Sequence, residues 1–222
     1  MKTEDIQFVA SLPHVREVSI VGTADLGFWV DRLKDHGLVP LDRGGQAEIL
    51  IIAADSWFWG VSFQELSFSI ALSKGAFLGQ AFNSRRFFAF CERAVFKTPY
   101  AFGDVQVSVS PASVHLHRNG DRLFRAEQGK GEPEAAASPY EKGFEGPLYL
   151  PSGRGFLARI RGESQPAAFQ PARDVLELRP ARELPFLQDL IDSGFQATHW
   201  LVRPDSSHAK SKTYPKAFLD KR

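Results

Sequence analysis

The chain has 222 residues, 27 Lys and Arg against 26 Asp and Glu, and one cysteine. So even a balance excludes the bulk positive field that gathers phosphate backbones, and nucleic acid is not an expected partner. The lone Cys91 excludes an intramolecular disulfide and fits a reducing compartment, while the length suits a single domain spanning residues 1–222.

The first eighteen residues lack an apolar core behind a basic head, and no later run is apolar enough to span a bilayer. A cytoplasmic protein with no membrane partner is the expectation. Nineteen Phe must fill much of its core or cavity wall.

The first predicted element is a helix over "ADLGFWVDRLKDHG", with Leu26, Trp29, Val30 and Leu33 inward and Gly37 at its end. "QAEILIIA" and "SFQELSFSIAL" follow as strands. In the second, Leu66, Phe68, Ile70 and Leu72 share one face and leave Glu65, Ser67 and Ser69 on the other, which meets water or a polar cavity. "NSRRFFAFCERAVFK" reads as a helix capped by Asn83 or Ser84 and bounded by Pro99. Phe87, Cys91, Ala94 and Val95 form its apolar stripe, with Arg85, Glu92 and Arg93 away from it. Lys97 lies at the stripe's edge in the last turn. There it either caps free carbonyls and meets the helix dipole, or serves as a buried amine whose pKa Arg93, one turn earlier, would depress.

"DVQVSVS" alternates, and Asn119-Gly120 in "SVHLHRNGDRLFRA" is the strongest hairpin signal in the chain. His115 and His117 share a strand face with no third ligand near them in sequence, so no metal site is expected. Residues 127–147 lose hydrophobic periodicity and read as a mobile surface loop. Strands are predicted at "GFLARIRG", "RDVLELRP" and "QATHWLVR", a helix at "PFLQDLIDSG", and a solvated polar tail over 203–222. The sum is an α+β protein, mainly β, built around an antiparallel curled sheet or closed barrel with a few helices. No G-x-S-x-G elbow and no phosphate loop is present.

Three stretches, taken in order, resemble a known family: "GLVPLDRGGQAEILIIA", "WGVSFQELSFSIAL" with its Phe63-x-Glu65 element, and "FFAFCERAVFKTPYAFGDVQVS". Together they cover about residues 37–110 and are similar to the acetoacetate decarboxylase superfamily. The resemblance implies a closed, cone-like β-barrel around a small-molecule cavity and, in the decarboxylase, a lysine that forms a Schiff base with a β-keto acid. In the family two adjacent lysines follow the turn proline. Here Tyr100 and Ala101 follow Pro99.

The resemblance therefore leaves Lys97 as a displaced amine, Tyr100 as a hydrogen-bond donor to a carbonyl, and Glu65 as a proton carrier, with Phe63 and Ser67 beside it. Arg93 and Arg86 would attract a carboxylate. The expected function is binding or conversion of a small carbonyl-bearing metabolite such as a keto acid, by lyase chemistry if catalytic. The other reading is a binding barrel that has lost its Schiff-base lysine. No cofactor is implied, and a homo-oligomer is compatible.

Overall fold

A computed structural model describes residues 7–181 and 183–221. Four strands open the chain as an antiparallel meander: β1 (Phe8–Asp25), β2 (Gln46–Phe58), β3 (Val61–Ala71) and β4 (Ala76–Asn83). A short β5 (Tyr100–Phe102) joins β4 in parallel. Next come β6 (Asp104–Val109), β7 (Ala112–Arg118) and β8 (Asp121–Glu127), then β9 (Gly143–Tyr149), β10 (Arg154–Arg161), β11 (Gln165–Ala168), β12 (Val175–Leu178), β13 (Gln196–Ser211) and β14 (Tyr214–Pro215).

β13 pairs with both β1 and β10, and β4 pairs with β9, which closes β1-β2-β3-β4-β9-β10-β13 into a seven-stranded barrel. The β4–β9 seam is parallel, so the barrel is mixed rather than wholly antiparallel. Gly75 makes that seam possible. It sits at φ +82°, and a Cβ there would lie 1.9 Å from the Pro147 carbonyl oxygen.

β6, β7, β8 and β12 form a separate four-stranded sheet. The Asn119-Gly120 turn joins β7 to β8 with both residues at positive φ, as the hairpin signal requires. This sheet covers the outer face of the barrel, where Ile51 opposes Phe68 and Ile49 opposes Ile70. Phe68 meets Phe82 and Phe124 edge-on at 6.3 and 5.5 Å. The main core thus lies outside the barrel. The other face of β3, with Glu65, Ser67 and Ser69, is left to line the barrel's interior.

The helices are short. Asp25 caps α1 (Leu26–Leu33) by accepting the Phe28 N–H at 2.6 Å, and Gly37 ends the following 3₁₀ turn in the left-handed region. Trp29 and Leu33 are buried as expected, but Val30 is exposed. α3 (Pro185–Asp192) begins at proline and stops at Gly194; α4 (Lys216–Leu219) lies near the end of the chain. Among the described residues no helix is long and apolar enough to cross a membrane.

Three expectations need correction. α2 covers only Arg86–Cys91 and continues as a π turn, Glu92–Phe96. Phe87, Ala94 and Val95 of the expected inward stripe are exposed, whereas Phe88, Cys91, Glu92 and Phe96 face the barrel. The segment is apolar on two faces, and the wide turn rotates the second half, so a single 3.6-residue period selects the wrong stripe. The supposed polar tail is also structured: β13 runs to Ser211 and contributes Arg203, His208 and Lys210 to the barrel interior. Within the expected loop, β9 opens at Gly143, and the Glu134 carbonyl accepts the Ala168 N–H at 2.8 Å.

Candidate functional site in the barrel

The barrel encloses a cavity of about 470 Å³. Val21, Leu50, Ile52, Leu78, Leu148 and Phe156 give it apolar walls, while Phe88, Cys91 and Phe96 contribute from the α2 segment. Two polar clusters interrupt this lining.

The first is centred on Glu65. Register places it opposite Asn83, whose amide donates to Oε1 at 2.8 Å; the Tyr100 hydroxyl donates to Oε2 at 3.1 Å. Burial raises the Glu65 pKa, and the nearby negative charge of Glu92 adds to the rise, against opposing contributions from Lys210, Asn83 and Tyr100. Burial, then the charges of Glu65 and Glu92, push the Tyr100 phenol well above its ordinary range, so it stays a neutral donor.

Glu92 descends from the π turn to form an ion pair with Lys210 of β13, and its other oxygen accepts the Thr98 hydroxyl at 3.2 Å. The Lys210 ammonium sits 3.9 Å from the centre of the Phe96 ring. Among the described residues Lys210 is the one lysine lining the cavity.

The second cluster is centred on Glu17 of β1, which is ion-paired with Arg203 and accepts from Ser19 at 2.7 Å. His208 Nε2 lies 2.7 Å from its other oxygen. Burial alone would raise the Glu17 pKa, but the hydrogen bond and charge of His208, the charge of Arg203 and the Ser19 bond prevail and lower it to about 2. Arg203 also donates to the Tyr140 and Gly162 carbonyls, so its buried guanidinium is well satisfied.

Of the residues singled out from sequence, Glu65, Tyr100, Phe63 and Ser67 line the cavity, with Ser67 Oγ donating to the Ile52 carbonyl at 3.2 Å. Lys97, Arg93 and Arg86 do not. Lys97 is exposed at φ +59°, where it ends the π turn, and Phe96 takes the inward position beside it. Arg93 and Arg86 project from the opposite flank of the segment, where Arg86 stacks over Phe102 at 4.6 Å. His115 is 2.8 Å from Glu127 on the separate sheet, outside the barrel.

The sequence reading missed Glu17, Arg203, His208, Lys210, Glu92 and Asn83. A signal was present: Glu17-Ser19-Val21 and His208-Lys210 both alternate. Polar alternation reads equally well as solvent-facing until closure is known.

No family model matches the sequence, and no curated protein is significantly similar to it. Solved structures are. One of acetoacetate decarboxylase superposes with a TM-score of 0.65 at 12% identity, over 93% of this chain and 89% of that one. Another, acetoacetate decarboxylase from Legionella pneumophila, gives 0.60 at 12% identity over 97% and 91%. The chain has an acetoacetate decarboxylase-like fold.

Proposed function

We propose that the barrel binds a small carbonyl-bearing metabolite, such as a keto acid with an apolar tail, without forming a covalent bond to it. The observation that carries this reading is the union of an apolar cavity with convergent polar groups at Lys210, Glu65 and Tyr100. The Lys210 ammonium has three N–H bonds and gives one to Glu92, which leaves donors for a carboxylate. Burial raises the Glu65 pKa and so disfavours its anion beside a ketone oxygen, and the Tyr100 hydroxyl lies next to it. The apolar wall takes the tail.

A second reading, lyase chemistry, rests on Lys210 being, among the described residues, the one lysine lining the cavity, with Glu92 beside it as a proton acceptor. Lys210 would give a proton to Glu92 and add to the ketone carbon, and the ketone oxygen would leave as water. The resulting iminium would accept the electron pair of the C–CO₂ bond as CO₂ departs. Protonation at carbon and hydrolysis would then restore the amine.

One experiment addresses both readings: a panel of β-keto acids of increasing tail length is titrated calorimetrically, then borohydride is added and adducts are mapped by peptide mass spectrometry. Binding without an adduct is the expected result. An adduct on Lys210, absent from Lys210→Met, would move the assignment to the lyase. Failure of every member of the panel to bind would remove the keto acid class, and an adduct on Lys97 would contradict the geometry.

A further inference from the structure

The α2 segment has three faces, and only one belongs to the cavity. Phe88, Cys91, Glu92 and Phe96 look inward, whereas Phe87, Phe90 and Val95 are exposed by 70%, 57% and 66%. The third face, with Arg86, Ala89 and Arg93, borders a groove completed by Phe102, Asp104, His117, Arg118 and the Asn119-Gly120 turn.

The exposed apolar residues do not stand alone. The β2–β3 hairpin tip brings Trp59 and Val61, exposed by 92% and 45%, toward the same surface, whereas Trp57 alternates onto the other face of β2. Trp59 stacks on Phe58 at 4.9 Å, Phe58 meets Phe88 at 6.2 Å, and Phe88 meets Phe87 at 5.9 Å. Arg85 Nε donates to the Ser62 carbonyl at 2.8 Å and ties the hairpin to the helix. Trp59 both lines the cavity and is almost fully exposed, so it marks the cavity's mouth. Scattered surface apolar residues are ordinary, but a connected aromatic run around a cavity opening is not.

Charge identifies what this surface meets. Arg85, Arg86, Arg93 and Lys97 are exposed, and the one acid of residues 84–98, Glu92, is turned inward against Lys210. In the groove three arginines outnumber Asp104, although Arg118 also lies 3.6 Å from Glu183. The buried His117 Nδ1 has no hydrogen-bond partner among the described residues. A second copy of the chain, related by a two-fold axis, would set these cations against themselves.

We propose that the exposed apolar face and the adjoining arginine-lined groove dock together onto an anionic lipid bilayer. Headgroup phosphates meet Arg86, Arg93 and Arg118, while Trp59, Phe87, Phe90 and Val95 enter the interfacial layer. The cavity mouth then faces the bilayer, so an amphiphile can pass between membrane and barrel. Docking stands apart from the ligand proposed above, which concerns only what enters the mouth. The sequence expectation of no membrane partner rested on the lack of a spanning run, which surface docking does not need.

The test mixes the full chain with vesicles of phosphatidylcholine alone or with added phosphatidylglycerol, at low and physiological salt. Co-sedimentation and tryptophan emission are read. Trp29 and Trp200 are fully buried and Trp57 lies on the other face of β2, so a blue shift reports Trp59 leaving water. The expected result is salt-sensitive binding to phosphatidylglycerol vesicles with a blue shift. Partitioning should fall roughly 25-fold in R86Q/R93Q, about fivefold for each cation removed. F87S/F90S should lose the blue shift while melting like the parent. The wild-type comparison of the two vesicle types needs no variant. Failure to bind phosphatidylglycerol vesicles, equal binding to both types, or undiminished binding by R86Q/R93Q would overturn the proposal. So would light scattering that shows a dimer dissolved by F87S/F90S, since the face would then be a self-association surface.

Discussion

Protonating Glu17 removes the anion that Arg203 and His208 share, and the consequence for stability can be worked from the structure. Its pKa is lowered from an ordinary 4.5 to about 2, a difference of about 3 kcal/mol between folded and unfolded chains. Because the folded value is depressed, this contribution is complete above about pH 4.5 and is lost as the pH falls toward 2. Glu17→Gln mimics the protonated state. At pH 7 it should cost about 3–5 kcal/mol, since it strands the buried Arg203 charge. The gap between wild type and variant should close by about 1.4 kcal/mol for each pH unit below 4.5. Urea unfolding of both proteins across pH 7 to 3, followed by circular dichroism, measures the gap and cancels every other carboxylate. A gap that stays constant over this window would refute the triad as an ionic unit.

Glu65 carries the opposite sign. Its folded pKa is raised, so its contribution is complete below about 4.5 and is lost as pH rises through the folded value. Glu65→Gln, which does not titrate, should therefore gain stability relative to wild type on going from pH 4 to pH 8 in the same assay. Phe68→Ala, at the join between barrel and four-stranded sheet, should cost about 3–5 kcal/mol in urea unfolding, because Phe82 and Phe124 cannot fill the space it leaves. Gly120→Ala should cost only about 1–2 kcal/mol: the added Cβ meets nothing within 4 Å, so the loss comes from φ +88° alone. A thermal melt of that variant equal to wild type would argue against the left-handed turn.

Legibility in the sequence followed the locality of the physics. The Asn119-Gly120 hairpin, the Gly37 and Gly194 stops and the two-faced character of β3 depend on neighbouring residues, and each appears where its local pattern placed it. The division of β3 into Leu66-Phe68-Ile70 and Glu65-Ser67-Ser69 located one wall of the site. Tyr100 was reached through the resemblance, and its contact with Glu65 depends on the parallel addition of β5 to β4.

The rest required closure of the barrel. Lys210 and Glu92 are 118 residues apart, and Glu17 and Arg203 are 186 apart, so no window of sequence contains either pair. The sequence by itself determined the strand periods, the turns and the polar face of β3, because side-chain alternation and backbone preference act over a few residues. Only the tertiary structure decided that this face is an interior, that Lys210 rather than Lys97 enters it, and that the outer strip of α2 is left uncovered. Hydrophobic patterning identifies which residues share a face, but which surface that face meets is set by strands brought together from opposite ends of the chain.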